Sequence, residues 1–365
     1  MSVRKIAFLD INQFFGGGQV YGLQLAEMLF HDFEFTVICV NKRYAGELRE
    51  RRIQVIDLSH LLNLGRIVHQ FLIVVLCVWL RLTAKADLIW LNGIPEIVVI
   101  PFCRLLGCKI LVTRHLTLQL EPQSRLKLMF RVLAETGFKY CAPYATKVIC
   151  VAHSVRESME TILSPKKLEV IHNWVTSLPP QVEIAEQNPE VCKLLFVGRL
   201  ESHKGPLTII EAMKLLQSDL EVGKISLTVV GEGHARDRLA EAARGLDVTF
   251  TGFQEAPSRF YAASDVFINP SSGPEGLPLV TLDAMSHGLP CILSDLRVHM
   301  EVSEEGRSAL IFHALDVAGL AAKIKVFATS PTERKKYGNR AKKAIEADYV
   351  YSAAREKYLR LLGTL

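Results

Sequence analysis

The chain has 365 residues, 49% of them hydrophobic, with a net charge of +5 and an isoelectric point near 8.7. That length exceeds one average domain and suits two of roughly 180 residues, while the absence of a dense Lys/Arg block argues against nucleic acid. Eight cysteines are scattered, mostly in apolar runs, and none forms a C-x-x-C pair, so reduced core thiols in a cytoplasmic protein are expected rather than disulfides or zinc.

The mild positive charge suits phosphate-bearing ligands or an anionic membrane surface. Arg4-Lys5 is followed by only four apolar or small residues before Asp10, too few for a secretory signal. Residues 3–9 read as a strand, followed by Phe-Phe-Gly-Gly-Gly-Gln at 14–19 and a helix over about 20–30. A strand, a glycine-rich turn and a helix make a phosphate-facing loop at Gly16 and Gly17 plausible, although this is not the G-x-G-x-x-G of a dinucleotide site.

Strand and helix signals then alternate, with strands expected at 35–40, 53–58, 88–92, 109–113, 146–151 and 168–172. Such alternation implies a parallel sheet covered on both faces, with the loops after the strands along one ligand-binding edge. The apolar run 71–80 is ten residues long, against about 20 needed to span a bilayer, and reads as a buried helix. Residues 125–140 mix basic and apolar side chains at helical spacing, which fits either an anionic membrane surface or an ordinary amphipathic helix. His115 follows the strand 109–113, at the ligand edge of this first sheet. Residues 173–189, rich in Pro, Asn and Gln without periodicity, read as a linker between domains at 1–172 and 190–347.

A second sheet starts at 193–197 and is followed by Gly-Arg-Leu-Glu-Ser-His-Lys-Gly at 198–205. Arg199 and Lys204 stand on a strand-to-helix turn whose terminal glycines allow close backbone approach. A planar fork and a point charge on one such loop suit a diphosphate. Further strands are expected at 226–231, 248–252 and 265–269. After the last comes a Pro/Ser/Gly cluster holding Glu275, a helix at 279–287 stopped by Gly288-Leu-Pro290, and a strand at 291–293. Asp283 lies eight positions after Glu275, so helical spacing places both carboxylates near one stripe. The amides of Gly276 and Leu277 are expected at the helix N-terminus, where free donors and the dipole favour a polar ligand. A strand at 308–312 and two helices complete the domain, and residues 348–365 form a last helix.

The segment Pro270-Ser271, Glu275-Gly276, Leu279, Ala284-Met285 and Gly288-x-Pro290 resembles the E-x7-E signature of family 4 glycosyltransferases of the GT-B fold, with Asp283 in place of the second Glu. The loop 198–205 matches the family's GR-x-x-x-x-KG in full. Gly16 and Gly17 match its GG-x-E, with Gln19 replacing the Glu. The resemblance implies two Rossmann-like doubly wound domains facing across a cleft, with the last helix packing back on the first domain. It also implies a retaining transfer from a UDP- or GDP-linked sugar to a glycan or lipid-linked acceptor, by a front-face route with no general base, metal or cofactor. Arg199 and Lys204 would hold the donor diphosphate. Glu275, with the Gly276 and Leu277 amides, would hold the sugar hydroxyls, and Asp283 the ribose. His115 would border the sugar, and Gly16 and Gly17 would lie by the acceptor and donor phosphate. Cell-surface polysaccharide or lipopolysaccharide synthesis at the cytoplasmic membrane face, with peripheral contact, is the expected setting. A sugar-nucleotide epimerase of the same fold and a non-catalytic nucleotide-binding scaffold are the alternatives.

Overall fold

The computed structural model describes residues 3–12, 15–60, 85–93, 99–116, 136–179 and 191–365. The apolar run 71–80, residues 125–135 of the basic-apolar stretch and most of the expected linker lie outside the described residues. Among those described, no helix is long and apolar enough to cross a membrane. The chain divides into two compact units, Met1–Asn173 with Ala354–Leu365, and Trp174–Ala353.

The first unit is built on β1 (Lys5–Asp10), β2 (Glu34–Cys39), β3 (Gln54–Asp57), β4 (Leu88–Asn92), β5 (Lys109–Arg114), β6 (Lys147–Cys150) and β7 (Leu168–Val170). All pair in parallel in the order β3-β2-β1-β4-β5-β6-β7. Strands such as β4, Leu-Ile-Trp-Leu-Asn, are buried at every position, because crossover helices cover both faces of a parallel sheet. The order reverses between β1 and β4, so the loops after these two strands flank the crevice where open sheets bind ligands. Phe8 and Trp90 sit opposite each other in register and pack edge to face, with Tyr358 of the last helix, Tyr351–Thr364, against Trp90.

The second unit repeats the plan with β8 (Val191–Val197), β9 (Lys224–Val230), β10 (Val248–Gly252), β11 (Val266–Asn269), β12 (Cys291–Ser294) and β13 (Leu310–Phe312). Their order is β10-β9-β8-β11-β12-β13, again parallel. Leu194, Val266, Ile268 and Ile292 of the central strands meet Ile209, Ile210 and Met213 of helix Pro206–Leu216, together with Leu320 and Phe327 of helix Val317–Thr329, in one apolar core. Burying each of these side chains contributes about 1.5–3 kcal/mol. The reversal here falls between β8 and β11, so the loops at 198–205 and 270–278 share its crevice.

Two local expectations need correction. The glycine-rich stretch is not a loop before a helix at residue 20, because the helix already begins at Gly17 and runs to Leu29. Gly16 caps it: its carbonyl accepts the Gln19 amide at 3.0 Å, and its own N–H is taken by the Gln19 side chain at 2.9 Å. The second correction concerns the helix after β11, which starts at Leu279 and so cannot carry Glu275 on the same stripe as Asp283. Pro278, extended at ψ 117°, sets that start, and Gly276 and Leu277 belong to the loop before it. The helix stops as its sequence requires. Gly288, at φ +72°, donates to Met285 at 3.0 Å, and Leu289 donates to Ala284 at 3.2 Å.

Candidate active site

In the second unit the two motif loops are joined through backbone before any charge is considered. Ser272 donates its amide to the His203 carbonyl at 2.8 Å. Gly205, at φ +71°, packs so close to Pro270 that a Cβ there would come within 2.4 Å of its carbonyl oxygen. Only glycine satisfies both the conformation and the approach. The junction carries Lys204 to Glu275, where Nζ meets Oε1 at 2.5 Å across 71 positions of sequence. The Ser271 hydroxyl donates to the same oxygen at 2.6 Å, while Oε2 has no hydrogen-bond partner among the described residues. Burial alone would push the Glu275 carboxyl up, but the Lys204 ammonium and the Ser271 hydroxyl overcome it and hold the group below its ordinary value. The carboxylate thus stays ionised, with one oxygen fixed and one left over.

Arg199 sits on the same loop but differs in setting. Its side chain is 56% exposed and is paired with Glu201 of its own loop. Each cation of the glycine-bounded turn is therefore matched by a carboxylate, and an incoming diphosphate would compete with those carboxylates for the N–H donors.

Behind Glu275 lies a layer that motif reading missed. Ser294, at the end of β12, donates its hydroxyl to the Ser271 carbonyl at 2.6 Å. His299 is fully buried, and its Nδ1 lies 3.1 Å from the Ser294 carbonyl and 2.9 Å from its hydroxyl. A carbonyl can only accept, so Nδ1 carries the proton and Nε2 a lone pair; Nε2 is buried with no hydrogen-bond partner among the described residues. Burial pushes His299 down to about 4 despite the nearby Glu275. The only signal in the sequence was the polar character of Ser294 and His299 beside an apolar strand.

Asp283, half-buried on helix Leu279–Ser286, has a carboxyl with no hydrogen-bond partner among the described residues, and desolvation pushes it up to about 7. Its backbone carbonyl is occupied by His287. An unpartnered, desolvated carboxyl can accept hydrogen bonds from a ligand's hydroxyls, and does so most strongly when ionised.

In the first unit, Asp10, Asn92 and His115 end or follow β1, β4 and β5. The Asn92 side chain donates to Asp10 Oδ2 at 2.7 Å and to the Gly18 carbonyl at 3.1 Å, and its oxygen lies 2.7 Å from His115 Nε2. Gln19 donates to Asp10 Oδ1 at 2.9 Å. The His115 ring packs edge-on against Tyr21, whose hydroxyl is 2.8 Å from that of Tyr358. Burial, then the Arg114 charge, lowers His115 to about 4, so the imidazole is neutral. At Gly17 and Gly18 a Cβ would meet nothing within 4 Å, so the protein itself does not demand glycine there. The expected site residues thus fall into two groups. Arg199, Lys204, Glu275, Gly276, Leu277 and Asp283 lie in one unit, and Gly16, Gly17 and His115 in the other.

A family model described as Glycosyltransferase Family 4 matches residues 15–177, and one described as Glycosyl transferases group 1 matches residues 192–329. The lipopolysaccharide core biosynthesis glycosyltransferase LpsE of Rhizobium meliloti is 25% identical over 224 residues, 60% of this chain and 64% of LpsE. An Escherichia coli UDP-Gal:alpha-D-GlcNAc-diphosphoundecaprenol alpha-1,3-galactosyltransferase is 28% identical over 173 residues, covering 43% of this chain and 44% of that enzyme. With 34% of the sulfoquinovosyl transferase of Arabidopsis thaliana also matched, the chain spans from a third to under two thirds of these relatives' length. In fold, the Anabaena HepE structure in complex with UDP superposes with a TM-score of 0.82 over 99% of this chain and all of that one, at 18% identity. Matching both halves of the family pattern on two Rossmann-like units, the chain belongs to the family 4 glycosyltransferases of the GT-B fold.

Proposed function

We propose that the protein is a retaining hexosyltransferase that moves a sugar from a UDP- or GDP-linked donor to a glycan or lipid-linked acceptor, without a divalent metal. One observation carries this reading: Lys204 of the diphosphate loop grips one oxygen of buried Glu275 and leaves the other without a partner among the described residues. A cation for the leaving group and an acceptor for the sugar hydroxyls are thereby spaced by a contact that already exists. Departure of the nucleoside diphosphate builds charge on its terminal phosphate. Lys204 and Arg199 stabilise that charge from preorganised positions, which is where most rate enhancement of this kind arises. The Gly276 and Leu277 amides assist Glu275, Asp283 accepts from the ribose, and His115 borders the transferred group, linked through Asn92 to the start of the helix that Gly16 and Gly17 open.

The carboxylates nearest the cations, Glu201 and Glu275, are engaged by Arg199 and Lys204. That pairing supports charge neutralisation by side chains, without a metal. The reading invokes no pair of carboxylates flanking the anomeric carbon as in retaining glycosidases, but a front-face route with the donor phosphate as proton acceptor. HepE structures hold UDP and UDP-glucose, and the E. coli relative is named for a diphosphoundecaprenol substrate. These, with the lipopolysaccharide role in the name of LpsE, support a uridine donor and a lipid-linked acceptor in cell-surface polysaccharide or lipopolysaccharide synthesis. Such an acceptor would make the protein a peripheral partner of an anionic cytoplasmic membrane face.

The test is a thermal-shift series with UDP, GDP and ADP, followed by transfer assays with sugar nucleotides of the base that binds. At a hundred times its dissociation constant the correct diphosphate should stabilise the protein by about 2.7 kcal/mol. No shift with any diphosphate, together with no release of diphosphate from any donor, would overturn the reading.

A further inference from the structure

The buried carboxylate of Asp10 is not among the motif residues, yet it is where the polar side chains of the first unit's crevice converge. Among the described residues it accepts four hydrogen bonds. Oδ1 takes the Asn12 amide at 3.2 Å, the Asn12 side chain at 2.9 Å and Gln19 Nε2 at 2.9 Å; Oδ2 takes Asn92 Nδ2 at 2.7 Å. Its side chain is fully buried at the end of β1. A carboxylate satisfied on both oxygens is a fixed acceptor, and whatever faces it must be a donor.

That requirement propagates. Asn92 must point its NH2 at Asp10 and the Gly18 carbonyl, so its oxygen must face His115, 2.7 Å from Nε2. The oxygen can only accept, so Nε2 carries the imidazole proton. His115 Nδ1 is then a bare lone pair with no hydrogen-bond partner among the described residues. We propose that Asp10 is a positioning residue for glycosyl transfer: through Asn92 it fixes His115 as the Nε2–H tautomer, so that Nδ1 presents only an acceptor and selects a hydroxyl, rather than a phosphate or carboxylate oxygen, on the bound sugar. The proposal rests on the reading of His115 as the group bordering the transferred sugar. It also accounts for Gln19, where a family Glu would remove a donor to Asp10 Oδ1 and set a second carboxyl about 3 Å from one that burial already raises. With Gln, one amide side chain holds both the Gly16 N–H and Asp10.

The experiment is long-range 15N–1H correlation spectroscopy on the labelled full chain, with the His115 ring assigned by its loss in His115→Gln. The wild-type ring should be protonated at Nε2. In Asp10→Asn the new amide keeps its oxygen toward the three donors on the Oδ1 side and turns its NH2 toward Asn92. Asn92 then flips, giving up its longer bond to Gly18, and presents NH2 to His115. The ring proton should move wholly or partly to Nδ1. Asn92→Ala, which leaves Asp10 intact, should also release the proton from Nε2 and serves if Asp10→Asn fails to fold. A wild-type ring protonated at Nδ1, or an unchanged Nε2–H ring in the folded variants, overturns the proposal. Neither result depends on turnover, so failure of the transferase reading, seen as no diphosphate binding and no transfer, is distinguishable from failure of the relay.

Discussion

The two units share the order of their first six strands, and each has its own crevice where that order reverses, yet they fix their polar groups by opposite means. In the second unit the loops after β8 and β11 are joined by an ion pair, Lys204 with Glu275, charge against charge in a buried setting. In the first, one carboxylate, Asp10, is held by neutral amides, and His115 beyond it is neutral too. The difference teaches that the second unit's charged groups can exchange partners with an anion. The first holds its groups in one orientation whether or not a ligand is present. A charged pair can be pulled apart by a competing charge, whereas a network in which every donor has its acceptor gains little by rearranging.

The largest expected effect comes from breaking the charged side. Lys204→Ala should lower turnover about 10²-fold or more, the range for losing one charge-stabilising donor. It also strands Glu275, at a cost of about 3 kcal/mol, as when one partner of a buried pair is removed. In the wild type the Glu275 carboxyl is held below its ordinary 4.5, so its contribution is present above that value and is lost as pH falls through the lowered one. The melting-temperature gap between wild type and variant should therefore be wide at pH 7 and narrow as pH drops below about 4.5. A gap constant with pH would mean the pair does not hold the loops.

The neutral side can be broken by adding a charge. Gln19→Glu keeps the shape but removes the donor to Asp10 and sets two carboxylates about 3 Å apart. We expect a loss of about 1–3 kcal/mol at neutral pH, the cost of an unsatisfied buried partner, recovered in acid as one carboxyl protonates. Denaturant titrations at pH 8 and pH 5 read this directly. Equal stability at both would show that the first unit tolerates charge as readily as the second.

A finer test uses Asp283, whose carboxyl has no partner among the described residues. With its value raised to about 7, the folded state is destabilised as pH rises from the unfolded 3.8 to about 7, and the cost stays constant above that. Asp283→Asn without ligand should therefore melt higher than wild type at pH 8 and about the same near pH 4. Nucleotide binding should move the other way, weakening by about 1–3 kcal/mol at pH 8 and less below pH 6, where the wild-type group is already neutral. Calorimetric titration of UDP against pH separates the two, and affinity identical in both proteins would remove Asp283 from the ribose. The smallest effect is expected from EDTA, which should leave most activity intact if side chains bear the charge stabilisation as proposed. Complete loss restored by Mg²⁺ would show that the pairing of Glu201 and Glu275 with cations yields to a metal.

Much was legible before any coordinates. Apolar runs buried on both faces gave the parallel strands to within a residue or two, because a sheet covered on both sides leaves no polar alternation to blur its limits. Gly288-x-Pro290 ended its helix through local geometry that needs only the residues involved. The charged loop at 198–205 and Glu275 stood out by type, spacing and resemblance, and the structure adds their contact through Lys204. What the sequence could not carry was who meets whom. Helical spacing put Glu275 and Asp283 on one stripe, but the chain breaks at Pro278, and Glu275 instead finds Lys204 across 71 residues. Asp10, Asn92 and His299 looked like ordinary strand-end or helix polar residues. Their roles come from burial, which turns each unpaired donor or acceptor into a cost of several kcal/mol and so forces particular partners. Burial and partnership at long sequence separation are properties of the folded sheet edge, and only the tertiary structure decided them.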